Sequence, residues 1–206
     1  MNVSNLPGLQ IDFFIKADSP NFRPHCWPPS VDFPVVVDSD GNIISRYGDV
    51  RWDFSVWHGS NLKIYFGDGQ GQGHKLSQDN ANLLRQVVAW WLWGYGGVTN
   101  PTSLVFKFDT IKPLFVICSK HNISASQLSS FPDIIREIAS NPTINGTHLI
   151  TYLNDLMFIS EEIGFTILNK KGMEVFINAI VKRDKVQTPY IPTRLWHYQV
   201  NRLKEC

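Results

Sequence analysis

Cysteine is scarce in this sequence. Cys26, Cys118 and Cys206 are the whole supply, and an odd, widely spaced set cannot build a disulfide framework. Such usage fits a reducing compartment, so the expected localisation is the cytoplasm. Charge is sparse too. Charged residues make up 18% of the chain and the formal net charge is +1. That excludes the strong global field a stand-alone nucleic-acid binder usually carries, but leaves a local basic face open. Long apolar runs are missing. The longest, Val87 to Trp93, is far short of a membrane span. The opening Met1 to Phe14 shows neither a positive leader nor a long apolar stretch, so neither a signal peptide nor a membrane is expected.

The signatures of familiar enzymes are absent as well. There is no Gly-x-Ser-x-Gly, no His-Glu-x-x-His and no Asp-rich calcium loop. The glycine-rich stretch Gly67 to Lys75 has the order Gly-His-Lys-Leu where a phosphate loop needs Gly-Lys-Ser/Thr opening a helix. No βαβ pattern surrounds it, so it reads as a connector rather than a nucleotide cradle. Cys118 and His121 form a Cys-x-x-His pair, with His25 and Cys26 adjacent to each other elsewhere. Structural zinc uses two well-spaced pairs, so no metal site is expected. The neighbouring Glu161 and Glu162 point a quarter-turn apart on a helix and read as a solvated face. No catalytic residue, metal or cofactor is assigned.

What the chain does have is apolar bulk. Hydrophobic residues make up 43%, including seven Trp and thirteen Phe, enough for a well-filled core. The character of the sequence changes near residue 76. Before it, Pro20, Pro24, Pro28, Pro29 and Pro34 forbid long helices. Phe33 to Val37 and Ile43 to Tyr47 flank an Asp-Gly turn and predict a hairpin. Trp52 to Trp57 alternates, which predicts a strand with Trp52, Phe54 and Val56 on one face. Leu62 to Phe66 completes a small antiparallel sheet over 33–66.

After residue 76 the period becomes helical. Ser77 caps a helix from Gln78 to Trp93, and a second runs from about Ser103 to Cys118, kinked or split at Pro113. Short helices follow at Ala125 to Ser130 and Phe131 to Ile138, then longer ones at Thr147 to Glu162 and Lys170 to Arg183, with Phe165 to Leu168 extended between them. A last amphipathic helix covers Thr193 to Glu205 and is still periodic where the sequence stops, which points to continuation into a further segment. The expected fold is α+β: a β-rich subdomain over 1–76, with its glycine linker at 67–75, followed by a helical subdomain over 77–206. Leu84, Val88, Trp90, Trp91, Phe115, Ile134, Leu153, Phe158 and Phe176 are expected in the helical core.

Cations recur on the helical segments. Arg85 is placed on the polar side of the first helix, Lys107, Lys112 and Lys120 on the next, and Arg194 and Arg202 on the last, beside His197 and Lys204. Phosphate contacts need only such cations on a common surface. A solvated polar face has the same pattern.

Pro101 to Cys118, with its Ser/Thr-rich start and apolar helix, resembles the opening helix of the core-binding domain of tyrosine recombinases. Ile117 to Ser124 and Thr188 to Arg202 resemble segments of large integrase-like proteins of bacterial mobile islands. The likeness covers roughly 77–206. It implies a helical clamp that packs on one side of duplex DNA while a catalytic domain closes from the other. In the family that catalytic domain carries two Arg, a Lys, a His-x-x-Arg element and a Tyr nucleophile. Here no His has an Arg three residues later, and Tyr190 and Tyr198 lack surrounding cations. The resemblance therefore implies a non-catalytic DNA-binding portion of an integrase. Its DNA-binding residues would be Arg85, Lys107, Lys112, Lys120, Arg194 and Arg202. Its partners would be duplex DNA and other recombinase protomers or accessory proteins of the same element. Near-neutral charge and abundant aromatics favour an alternative: a protein-interaction module of a mobile-element or phage-related protein that does not touch DNA.

Overall fold

The computed structural model describes residues 23–67, 76–94, 97–180 and 193–204. β1 (Pro34–Val37) pairs antiparallel with β2 (Ile43–Arg46). The turn between them is built by Asp38, whose Oδ1 accepts from the backbone N–H of Asp40 at 2.9 Å and of Asn42 at 2.8 Å. The Asn42 side-chain amide, donating to Asp38 Oδ2 at 3.0 Å, together with these backbone bonds holds the Asp38 carboxyl below its ordinary pKa. β3 (Arg51–Asp53) pairs with β4 (Lys63–Tyr65) as a second two-stranded sheet. The expected single sheet is thus two ribbons, linked by Asp53 N–H donating to Ser45 Oγ at 2.9 Å.

Strand periodicity explains what each face of β3–β4 carries. Trp52 lies opposite Ile64, and both are fully buried. On the other face Arg51 lies opposite Tyr65, its guanidinium 5.9 Å from the ring centroid, and Asp53 lies opposite Lys63, 3.4 Å away. The expected continuation of β3 through Val56 does not form. The Asp53 carboxylate accepts from Ser55 N–H at 3.0 Å and turns the chain into α1 (Ser55–His58), which Gly59 closes at φ 75°. Val56 is exposed as a result. A local side-chain bond to the backbone has overridden the alternation.

α2 (Gln78–Trp93) starts as expected, with the Ser77 side chain accepting from Asn80 N–H. Asn80 is buried and well satisfied. Its Nδ2 donates to Ser119 Oγ and the Ile123 carbonyl, both at 2.9 Å, and its Oδ1 accepts from Ala125 N–H at 2.7 Å. These bonds tie α2 to the end of α3 (Pro101–Lys120), which has Asn100 as N-cap and Pro101 in its first turn. α3 is one helix through Pro113, not two. A 3-10 turn (Ala125–Ser130) leads into α4 (Pro132–Ser140). The expected helix from Thr147 to Glu162 is two: α5 (Gly146–Phe158) and α6 (Ser160–Ile163), ended by Gly164 at φ 90°. Phe165 to Leu168 joins no strand, and α7 covers Lys170–Ala179. The end of that expected helix, 181–183, lies outside the described residues. α8 spans Thr193–Lys204.

The architecture is α+β, as expected, but its core does not divide at residue 76. One cluster runs from Val36, Trp52 and Phe66 in the ribbons through Leu84 and Val88 of α2 and Phe115 of α3 to Leu153 and Phe176. Phe66 meets Phe108 of α3 edge-on at 5.7 Å, and Trp52 meets Phe66 at 4.8 Å. Of the connector, residues 68–75 lie outside the described residues; its flanks meet, with Leu76 N–H donating to the Gly67 carbonyl at 3.0 Å. Two expected core residues, Trp90 and Ile134, are half-buried. Phe158 is 83% exposed. The buried stripe of α5 runs through Leu149, Leu153 and Leu156. Two positions beyond Leu156, Phe158 falls on the opposite side of the helix.

Candidate nucleic-acid interface

Arg85 does not face solvent. It is 2% exposed, and its Nε and Nη2 both donate to the Asp49 carbonyl at 3.2 Å. Nη1 donates to Asn82 Oδ1 at 3.2 Å, and the guanidinium lies 4.8 Å from the Phe66 ring centroid. A buried cation must find acceptors, and this one finds them in the loop between the ribbons. The sequence placed it on the polar side of α2; the structure makes it a fastener between α2 and the β region. The nearby Tyr47 phenol is raised in pKa by burial, with the Arg85 charge opposing the shift.

Two α3 lysines are also engaged. Lys107 is half-buried, with Nζ 5.3 Å from the Trp91 ring and 5.4 Å from the Tyr152 ring. Lys112, expected on the surface, is half-buried. Its Nζ donates to the Tyr65 carbonyl at 2.7 Å on the rim of β4 and sits 5.2 Å from the Phe108 ring. Burial lowers its pKa, and the charge of Asp109 partly restores it. Asp109 is itself raised by burial. Both lysines join elements of the fold, and neither is a free phosphate ligand.

Lys120, at the C-terminal end of α3, is exposed and lies 3.6 Å from Glu137 Oε1. His121 Nε2 is 2.7 Å from the other oxygen of that carboxylate. Arg202 is exposed on α8, with Nη1 donating to the Tyr198 hydroxyl at 3.4 Å. Arg194 sits in the first turn of α8, and its side chain lies outside the described residues. The five described cations thus differ in setting: Arg85 is buried, Lys107 and Lys112 are half-buried against neighbouring elements, and Lys120 and Arg202 are exposed.

No family model, curated protein or solved structure matches this chain. Candidate function therefore rests on geometry alone. Among the described residues no group of three His, Cys, Asp or Glu could hold a metal ion, and no helix is long and apolar enough to cross a membrane. Cys118 is buried, which pushes its thiol up to about 12. The cavity bordered by Phe54, Trp57, Leu92, Val98 and Leu104 is apolar and no larger than a few water molecules.

Among the exposed cations that sequence reasoning did not select are Lys170, Lys171 and Lys204. Lys170 and Lys171 occupy the first turn of α7, directly after its N-cap Asn169. Cations at the positive end of a helix oppose its dipole, so their placement does not serve stability. The doublet was visible as Asn-Lys-Lys before an apolar helix. Lys204 is exposed in the last turn of α8.

Proposed function

We propose that this chain binds duplex DNA through its phosphates, as a non-catalytic portion of a site-specific recombinase. The observation that carries the reading is α8. Residues 193–204 hold Arg194, Arg202 and Lys204 and no carboxylate. Of its described side chains, His197, Tyr198, Asn201, Arg202, Leu203 and Lys204 are exposed. A phosphate backbone suits an exposed helix with this charge. Lys120, Lys170 and Lys171 add exposed cations elsewhere. Arg85, Lys107 and Lys112 are not part of the proposed contact. The sparse cysteines, with Cys26 and Cys118 both free, fit work in the cytoplasm.

Gel shifts with a duplex of arbitrary sequence test this. Binding should be weak and steeply salt-dependent, and each phosphate contact removed should lower the log–log salt slope by roughly 0.9. Arg202→Glu with Lys120→Glu should lose most retention at low salt. Absence of wild-type retention at low salt, or an unchanged shift in the double variant, would falsify the reading.

The second reading, a protein-interaction module, is favoured by a specific feature. Large apolar side chains stand in solvent on the helical part, with Phe158 the most exposed and Phe106 at 52%.

A further inference from the structure

We propose that the exposed apolar patch around Trp57, at the turn end of the β1–β2 hairpin, is a docking site for a peptide segment of a partner protein that carries a large apolar side chain beside Lys or Arg. The inference rests on the protein-interaction reading and is separate from DNA binding. Trp57 of α1 is 45% exposed. Its one polar side-chain atom is already used, because Nε1 donates to the Val37 carbonyl at 2.9 Å. What the ring shows to solvent is therefore hydrocarbon. Val37 also gathers the neighbours. The exposed Ile43 is its register partner across the hairpin, and the exposed Val56 adjoins Trp57 in α1. The Trp57 ring also walls the small apolar cavity with Leu92, Val98 and Pro101, so apolar surface continues from the patch toward the interior. An apolar residue standing alone in water is ordinary, but several held together around one Trp mark a contact surface.

Charge sets the chemistry of the occupant. The segments that border the patch, 36–45, 54–62 and 92–104, contain Asp38 and Asp40 and no Lys or Arg. Their only imidazole, His58, is engaged with Ser60 Oγ at 2.6 Å. Asp38 directly follows Val37, and Asp40 is exposed in the same turn. Neither carboxylate makes an ion pair among the described residues. Such a face repels phosphate, so a nucleic acid is not its ligand. It attracts Lys or Arg set next to an apolar side chain. The apolar contact supplies the affinity, and the charges fix the orientation and the choice of partner.

Selection of a random linear peptide library on the immobilised full chain tests the site. Enriched peptides should place a large apolar residue beside Lys or Arg. Synthesised and titrated against the chain, they should bind Trp57→Ala at least about tenfold more weakly than wild type. Ile43→Ser and Asp40→Lys, both at exposed positions, should each weaken them about threefold or more. These two variants carry the test if Trp57→Ala does not fold. No enrichment, enrichment of acidic peptides, or binding indifferent to both Ile43→Ser and Asp40→Lys would overturn the proposal. So would a dimer, seen in sedimentation of the chain alone, that Ile43→Ser dissolves, since the face then belongs to a second copy. Duplex gel shifts read the other contact and should be unchanged in Ile43→Ser. Peptide capture uses no DNA, so its result stands whether or not wild type retains a duplex.

Discussion

α3 and α8 both carry cations at helical spacing, yet their surroundings differ in kind. α3 is laid across the core, so its lysines come within reach of rings and carbonyls on neighbouring elements. Lys107 rests between Trp91 and Tyr152, and Lys112 closes on the Tyr65 carbonyl. On α8 the two described cations, Arg202 and Lys204, remain open to solvent. A cation on a helix is a ligand candidate only after its local acceptors have been counted. Long aliphatic stems make this count matter, since they carry the charge several ångströms from the backbone position that sequence reveals.

That contrast can be broken by substitution, and the largest effect belongs to Arg85. Arg85→Ala should cost about 3 kcal/mol or more in urea unfolding, because it strands the Asp49 carbonyl and leaves a void beside Phe66. Lys112→Glu comes next. It places a carboxylate against the Tyr65 carbonyl and should cost about 1–2 kcal/mol, while Lys112→Arg should retain most stability. If Lys112→Glu proved neutral, α3 and α8 would be equivalent after all.

Alkaline pH offers a smaller, sharper comparison. Cys118 has its pKa raised from 9.0 to about 12 by burial. Its thiol is neutral in both folded and unfolded chains below pH 9, so its contribution is complete there. Between pH 9 and 12 the unfolded chain ionises first, and stability falls as pH rises. Cys118→Val should flatten that decline in unfolding midpoints measured from pH 8 to 11. In the folded protein a thiol reagent should modify exposed Cys26 well before Cys118. The smallest effect is on α8, where Arg202→Glu should change stability by no more than about 0.5 kcal/mol.

Much of the fold was legible because local signals agreed with one another. Ser77, the stripe from Leu84 to Trp91 and the glycines after Trp93 all indicate the same helix, and α2 has those bounds. The hairpin around Asp38 was equally clear. Misreadings arose where local and non-local terms compete. Trp52 to Trp57 alternates as a strand does, but the Asp53 side chain captures Ser55 N–H and starts a helical turn. Phe158 is apolar enough for a core, yet α5 ends with it on the wrong side of Leu156. The candidate site was less legible than the fold. Nothing in the neighbourhood of Arg85 in sequence reveals the Asp49 carbonyl waiting 36 residues away. Arg202 and Lys204 were visible as cations, but their exposure is a property of packing.

The hydrogen bond between Leu76 N–H and the Gly67 carbonyl has a practical consequence. Two points of the chain that touch, each anchored in a shared interior, make what lies between them dispensable as a tether. A protease cut there should leave two pieces that still elute as one body, gripped by Arg85 and by the edge-to-face rings of Phe66 and Phe108. Extra residues spliced into the same place would add a cost that grows only logarithmically, about 0.6 kcal/mol for each doubling of length. A fluorescent reporter or an affinity handle could therefore be carried at that position.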